Sequence, residues 1–338
     1  MYSYHISLLN TNLETGVRAL LIREIGKPAE LGEAVDPVRS AGESLLSVLA
    51  APLNPVDVSI AGGRFFGGHP ALPYVPGVEA VGRVTQSNAL PVGTTAFTCL
   101  DGLGISRSGA CAEFVVVRDC TLVPVPGGVA PAAAAALGTA GLAAWIPLTR
   151  LTQITADDTV LVLGATGAVG QVAIQAACLL GARRVVGAGR DTKKLAGLPD
   201  LGADATVSLN DDGDLAAAFI RACGGIRPTV VFDPLWGPPL LAALVAAATG
   251  ARVLHLGQSA AAEVAIPSGL VRGKSLKIFG YTTLNLTAQE VTDSYRELVT
   301  ELAHGRVQID LTTVPLTTGA KAWARQQTSP RAKLVICP

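Results

Sequence analysis

The residues best placed to do chemistry lie at 164–170, Gly164-Ala-Thr-Gly-Ala-Val-Gly170. The apolar run Val160–Leu163 precedes them and reads as a buried strand. From Ala168 to Gly181, apolar residues recur at helical spacing. A strand, a glycine-rich turn and a helix in that order form the phosphate-binding unit of a dinucleotide fold. Glycines let the backbone approach a pyrophosphate, and the helix N-terminus offers free N–H groups. Ala165 stands where the usual pattern has its first glycine. The expected contacts are Ala165, Thr166, Gly167, Ala168, Val169 and Gly170.

One strand later the chain reads Arg184-Val-Val-Gly-Ala-Gly-Arg190. Sites for NAD place an acid at this strand's end, about 20 residues past the turn, to bond the ribose 2′-hydroxyl. Gly189 and Arg190 stand there instead, and Lys193 and Lys194 follow. A small residue beside an arginine makes room for a 2′-phosphate and neutralises it. Arg190 and Lys194 are therefore expected to select NADPH. The alternative reading makes Arg190 an ordinary surface arginine and Asp191 the 2′-hydroxyl ligand.

The elements that must position these residues fall into two groups. Short strands with Gly and Pro turns run from Val17 to about residue 126: 17–22, 44–50, 80–84, 94–98 and 112–117. They suggest an irregular β-barrel. From Pro131 two helices (131–137 and 139–149) lead into alternating strands and helices. The strands are expected at 160–163, 184–188, 205–209, 229–232, 252–256 and 276–281. Alternation of this kind implies a parallel, doubly wound sheet in the order 3-2-1-4-5-6. An amphipathic helix is expected from Ala288 to His304. One more helix (318–326) and a closing strand (333–336) are expected to return to the first domain.

The 338 residues suit two ordinary domains. Hydrophobic residues make up 49%, yet no run reaches the length of a membrane span. Net charge is zero, with no basic cluster, which argues against nucleic-acid or membrane surfaces. Residues 1–16 read as a loose extension without the pattern of a signal peptide, so a cytoplasmic location is expected. None of the six cysteines is spaced C-x-x-C, and free, mostly buried thiols are expected. The four histidines form no ligand spacing, so no metal site is expected. His255 reads as a satisfied core histidine, and Trp145, Trp236 and Trp323 as packing residues.

With these motifs in order, the chain from Val17 to Pro338 resembles the medium-chain dehydrogenase/reductase superfamily, in its zinc-independent quinone oxidoreductase and enoyl reductase branch. The resemblance rests on Asn54-Pro-Val-Asp57, Val75-Pro-Gly-Val-Glu-Ala-Val-Gly82, Gly109-Ala-Cys-Ala-Glu-Phe114, the turn at 164–170, and Ala332-Lys-Leu-Val335. It implies a GroES-like β-barrel catalytic domain (1–127 and 285–338) and a Rossmann NADPH-binding domain (128–284). Zinc-dependent relatives carry Cys where this chain has Asn54 and His where it has Val78. The four-Cys structural lobe has no counterpart. The resemblance therefore implies hydride transfer from NADPH to a quinone or an α,β-unsaturated carbonyl.

By the same resemblance, Asn54 hydrogen-bonds the nicotinamide-side ribose or the substrate carbonyl; otherwise it only satisfies backbone groups. Asp57 fixes the loop. Thr139, Leu256-Gly257-Gln258 and Tyr281 are expected to contact the cofactor. Lys333 is expected near its nicotinamide or phosphate end, or else as a solvated strand-end lysine. Ser59 and Phe65 stand where relatives often have Tyr, which leaves Ser59, Tyr281 or solvent as the proton donor. Some relatives pair through the last coenzyme-domain strand, here Ser275–Gly280, so a homodimer is expected. Two other readings stay open. One is a trans-acting enoyl or ketone reductase of a biosynthetic pathway with a carrier-bound acceptor. The other is a cofactor-binding protein with little turnover. A short-chain reductase is disfavoured, because neither Tyr281 nor Tyr295 has Lys four residues on. A flavoprotein is disfavoured because the dinucleotide unit starts at 160.

Overall fold

A computed structural model describes residues 16–100, 102–210, 213–328 and 332–338. Most of the extension at 1–16 therefore lies outside the described residues. The chain begins with a hairpin, β1 (Gly16–Leu21) and β2 (Glu30–Val35). Next come β3 (Glu43–Pro52), helix α1 (Pro55–Ala61), β4 (Glu79–Gln86), β5 (Thr95–Cys99), β6 (Phe114–Arg118) and β7 (Val123–Pro124). Helices α2 (Pro131–Ala136) and α3 (Thr139–Ile146) follow.

The alternating part contains β8 (Thr159–Leu163), α4 (Ala168–Leu179), β9 (Arg184–Gly189), α5 (Thr192–Gly197) and β10 (Ala205–Ser208). It continues with α6 (Leu215–Ala222), β11 (Val230–Asp233), α7 (Gly237–Ala246), β12 (Arg252–His255), α8 (Ser268–Gly273) and β13 (Lys277–Gly280). The tail holds α9 (Ala288–Ala303), β14 (Leu311–Pro315), α10 (Gly319–Gln327) and β15 (Lys333–Cys337).

The coenzyme sheet is parallel, in the order β10-β9-β8-β11-β12-β13. This is the expected 3-2-1-4-5-6 order. Every residue of β8 is buried, as a central strand covered on both faces requires. Alternation divides its side chains: Val160 and Val162 pack with α4, and Leu161 and Leu163 with α7. Among the described residues β13 pairs only with β12, and it is largely exposed, so it is the sheet's edge.

The barrel sheet runs β14-β15-β3-β4-β5-β7, with β6 also on β3. The tail does return to the first domain, through β15 pairing antiparallel with β3. The seam between the two halves is a third apolar cluster. It draws on Ala50, Val81 and Phe97 of the barrel, Ala134–Ala136 of α2, Leu142 of α3, and Val291, Tyr295 and Val299 of α9. Tyr295 stacks on Phe97 at 3.7 Å between centroids, and its hydroxyl donates to the Ala134 carbonyl at 2.8 Å.

Several expectations need correction. The helix expected over 139–149 stops at Ile146 and passes into a wider turn, Pro147–Leu151. Pro147 has no N–H to continue the ladder. Strand β2 and helix α1 were not anticipated. β2 is mostly exposed and carries two glutamates, and α1 has only seven residues. The thiols are not mostly buried: Cys99, Cys111 and Cys223 are, Cys178 and Cys337 are half-buried, and Cys120 is exposed. No helix among the described residues is long and apolar enough to cross a membrane.

Candidate active site

The residues read from the sequence separate into two places. The first is the glycine turn between β8 and α4. Gly164 makes the turn with φ +63°, a left-handed conformation that glycine adopts without strain. The first turning residue is therefore Gly164, one position before Ala165. Ala165 is buried, and its N–H donates to the Ala188 carbonyl at 2.9 Å. Its methyl is tolerated because position 187 is glycine, where a Cβ would approach it to 3.1 Å. Gly170 has no room for a side chain: a Cβ there would lie 2.4 Å from the Gly164 carbonyl oxygen. Gly167 is open, its nearest such neighbour being 3.4 Å away.

No side chain caps α4. The N–H groups of Ala168, Val169 and Gly170 are the orphan donors of its first turn. Open space, orphan donors and the positive end of the helix dipole fit a pyrophosphate. Thr166 lies against Gly189, where a Cβ would come within 2.7 Å of its methyl. Arg190 follows, exposed at the end of β9. Its carbonyl accepts from Asn210 Nδ2 at 2.7 Å. Asp191 caps α5, its Oδ1 accepting the Lys194 N–H at 3.2 Å. The Lys194 ammonium sits 2.6 Å from Asp310 Oδ2, and so faces the tail. Leu256, Gly257 and Gln258 follow β12, with Gly257 packed against the Pro234 carbonyl. Tyr281 follows β13; its hydroxyl lies 3.3 Å from Thr283 Oγ1, and burial raises its pKa.

The second place is a buried polar cluster on the seam. Asn54 precedes α1 and is 2% exposed. Its Nδ2 donates to Glu79 Oε1 at 2.8 Å and more weakly to the Pro52 carbonyl, and its Oδ1 accepts from the Lys333 ammonium. Lys333 Nζ is also 3.6 Å from Glu79 Oε1. Glu79 Oε2 accepts both the N–H of Thr139 and its hydroxyl, the latter at 2.8 Å. Asp57, also buried, accepts the Asn54 N–H at 2.7 Å and the Val78 N–H at 3.1 Å. It fixes the loop, as expected.

Burial pushes the Asp57 carboxyl up to about 7; its backbone bond from Asn54 opposes this, and Glu79 adds to it. Burial also lowers the Lys333 pKa, against the pull of Glu79 and Asp57. Nearby, the Tyr74 hydroxyl is buried with no hydrogen-bond partner among the described residues, and burial pushes its pKa up to about 12.

Lys333 is thus not a solvated strand-end lysine. Asn54 bonds two charged side chains rather than backbone alone. Ser59 lies half-buried in α1, within two turns of Asn54. His255 is half-exposed, with Nδ1 2.9 Å from the buried Asp233 carboxylate and its ring on Trp236. Trp145 and Trp323 are buried.

Sequence reasoning missed Glu79 as a functional residue. The signal was one acid in the apolar stretch Val75–Val84, together with Gly138. A Cβ at 138 would lie 1.9 Å from the Glu79 carboxylate. Two cavities, of about 430 Å³ under the β1–β2 hairpin and about 330 Å³ between Leu100, Arg118 and Leu286, include neither the glycine turn nor the Glu79 cluster. Among the described residues no cluster of three or more His, Cys, Asp or Glu could hold a metal ion.

Comparison with known proteins agrees with this layout. Residues 40–127 match the alcohol dehydrogenase GroES-like domain, and residues 168–303 match the zinc-binding dehydrogenase family. The chain is 28% identical over 320 residues to a phenolphthiocerol/phthiocerol polyketide synthase of Mycobacterium tuberculosis. That match covers 92% of this chain but only 14% of the synthase polypeptide. It is 28% identical over 304 residues to the mitochondrial enoyl-[acyl-carrier-protein] reductase of Rattus norvegicus, covering 84% of this chain and 77% of the reductase. A solved NAD-dependent alcohol dehydrogenase superposes with a TM-score of 0.87 at 25% identity, over 95% of this chain and 99% of its own.

Proposed function

The chain belongs to the medium-chain dehydrogenase/reductase superfamily, and from that premise we propose that it is an NADPH-dependent reductase of quinones or α,β-unsaturated carbonyls that works without zinc. The observation that carries the NADPH reading is the end of β9. Gly189 leaves space beside Thr166, Arg190 is exposed next to it, and Asp191 is occupied in capping α5. Among the described residues no free acid for a 2′-hydroxyl stands at that strand end, and a cation for a 2′-phosphate is present.

The donor set supports a zinc-free reaction. Asn54 stands where zinc relatives have a thiolate, and its oxygen is taken by an ammonium. A positive charge at that point opposes a second cation. Val78, in the histidine's place, offers no donor at all. Without a Lewis acid, the acceptor must already be polarised, as quinones and enones are.

Bound NADPH supplies the hydride. The α4 amides and Arg190 would hold its phosphates, and Leu256–Gln258, after β12, would contact it. Ser59 and Tyr281 are the hydroxyls available to pass a proton to the reduced acceptor. The 28% identity to an enoyl-[acyl-carrier-protein] reductase favours an activated alkene within this class. A trans-acting enoyl or ketone reductase with a carrier-bound acceptor is the alternative that shares this fold and site.

The test is NADPH oxidation, followed at 340 nm with chelator present, against a panel of quinones, enones and enoyl thioesters. Sustained turnover with one class supports the reading. No turnover with any, despite NADPH binding, leaves a cofactor-binding protein. The exposed edge of β13 further supports a homodimer paired along it; a monomeric mass in sedimentation at micromolar concentration overturns that.

A further inference from the structure

The Glu79 carboxylate joins two parts of the protein that a reductase must keep in register. Its Oε1 accepts from Asn54, in the loop after β3, and faces Lys333 of β15. Both belong to the barrel. Its Oε2 accepts the N–H and the hydroxyl of Thr139, the first residue of α3. Helix α3 packs on α4, whose N-terminus forms the glycine turn. A continuous mechanical path therefore runs from β4 through Glu79, Thr139, α3 and α4 to the pyrophosphate site.

The chemistry at Glu79 requires a carboxylate. All four surrounding groups are donors: an amide NH₂, an ammonium, a backbone N–H and a hydroxyl. Only an ionised acid of this length presents acceptors at both ends. Glutamine would turn an NH₂ toward either Thr139 or Asn54, donor against donor. Lys333 supplies the countercharge that a dry carboxylate needs. Position 138 is glycine because a side chain there would occupy the carboxylate's own place.

We propose that Glu79 is a positioning residue: it holds Thr139, and through α3 the hydride-donating end of the coenzyme site, at a set distance from the barrel segment, loop and helix α1, that carries Asn54 and Ser59. This rests on the reductase reading above and deepens it. Glu79 touches no reacting atom. It acts through Thr139, with Lys333 Nζ 3.6 Å from its Oε1.

The experiment compares wild type with Glu79→Gln, Lys333→Met and the double variant. It measures thermal midpoint, NADPH affinity, kcat, acceptor KM and the isotope effect with NADPH deuterated at the transferred position. Misplacing the donor slows hydride transfer without changing acceptor recognition. Glu79→Gln is expected to lower kcat ~30-fold, leave acceptor KM within about threefold and raise the isotope effect. The double variant, which buries no unpaired charge, is expected to regain the thermal midpoint but not kcat. Recovery of both, or an unchanged kcat in Glu79→Gln, overturns the proposal and leaves a structural ion pair.

If Glu79→Gln fails to fold, Thr139→Val removes one of the two seam bonds. A kcat loss of ~5-fold is expected, with the midpoint lowered by about 3–5 °C for the lost bond, and no loss of kcat overturns the proposal. Absence of turnover in wild type overturns the reductase reading instead. In that event amide exchange over residues 137–146 decides the positioning role. Glu79→Gln is expected to speed it ~10-fold, and unchanged exchange overturns the proposal.

Discussion

The glycine turn and the Glu79 cluster are built on opposite plans. At the turn, no side chain among the described residues caps the first-turn donors of α4, and Gly167 stands beside open space. At the seam, the carboxylates of Glu79 and Asp57, the Asn54 amide and the Lys333 ammonium are bonded to one another or to nearby N–H groups, and all four residues are buried. Unmet hydrogen-bonding capacity beside open space marks where something from outside binds. Capacity met from within marks where the protein spends charge on its own geometry. Substitutions at the first place should cost affinity and spare stability. At the second they should cost stability, with turnover following.

The largest effect tests the closed region. Gly138→Ala places a methyl on the Glu79 carboxylate and close to Phe97. Both Thr139 bonds must break, at a cost of ~3 kcal/mol or more. The expected result is a thermal midpoint lowered by ~10 °C or loss of soluble protein. A midpoint within two degrees of wild type, on the order of experimental scatter, breaks the comparison. Gly167→Ala tests the open region. It fills phosphate space and meets only the Gly164 carbonyl oxygen, at an ordinary contact distance of 3.4 Å, so NADPH affinity should fall ~10-fold in a fluorescence titration while the midpoint stays put. A large drop in midpoint would show that the turn is also closed.

A third test uses pH. Asp57 has a folded pKa of about 7 against an ordinary value of 3.8. The folded state therefore holds a proton that the unfolded chain releases between those values. Stability is fully retained below the lower value and declines as pH rises through the upper one. The wild-type thermal midpoint should fall between about pH 4 and pH 7, and Asp57→Asn should flatten that slope while lowering the midpoint overall. A midpoint that rises over this window contradicts the assignment.

The two regions also differed in how far they could be read in advance. The turn was legible because its signals are local: four apolar residues, glycines at set offsets and a helical period, all within twenty-two positions of one strand. The sheet order followed from alternation and the handedness of crossovers. Gly164, not Ala165, makes the turn, which only backbone angles reveal. Glu79 was legible as part of a motif but not as a hub. Its partners lie 25 and 60 positions away, and Asn54 meets Lys333 across 279. Periodicity carries no such information. Lys333 could be read either as a cofactor contact or as a solvated strand-end lysine for the same reason: its burial comes from elements elsewhere in the chain. Strand β2 escaped notice because Glu30, Leu31 and Glu33 leave it no buried face to read.

The most direct test of the account is a paired measurement of kcat/KM for NADPH and NADH, in wild type and in Arg190→Ala, with one accepted quinone or enone. A charge-assisted phosphate contact of ~1.5–3 kcal/mol corresponds to a preference of roughly 10- to 100-fold. Wild type should show that preference for NADPH, and Arg190→Ala should erase it by lowering the NADPH value alone. Equal use of both cofactors by wild type, or an equal loss for both in the variant, would contradict it.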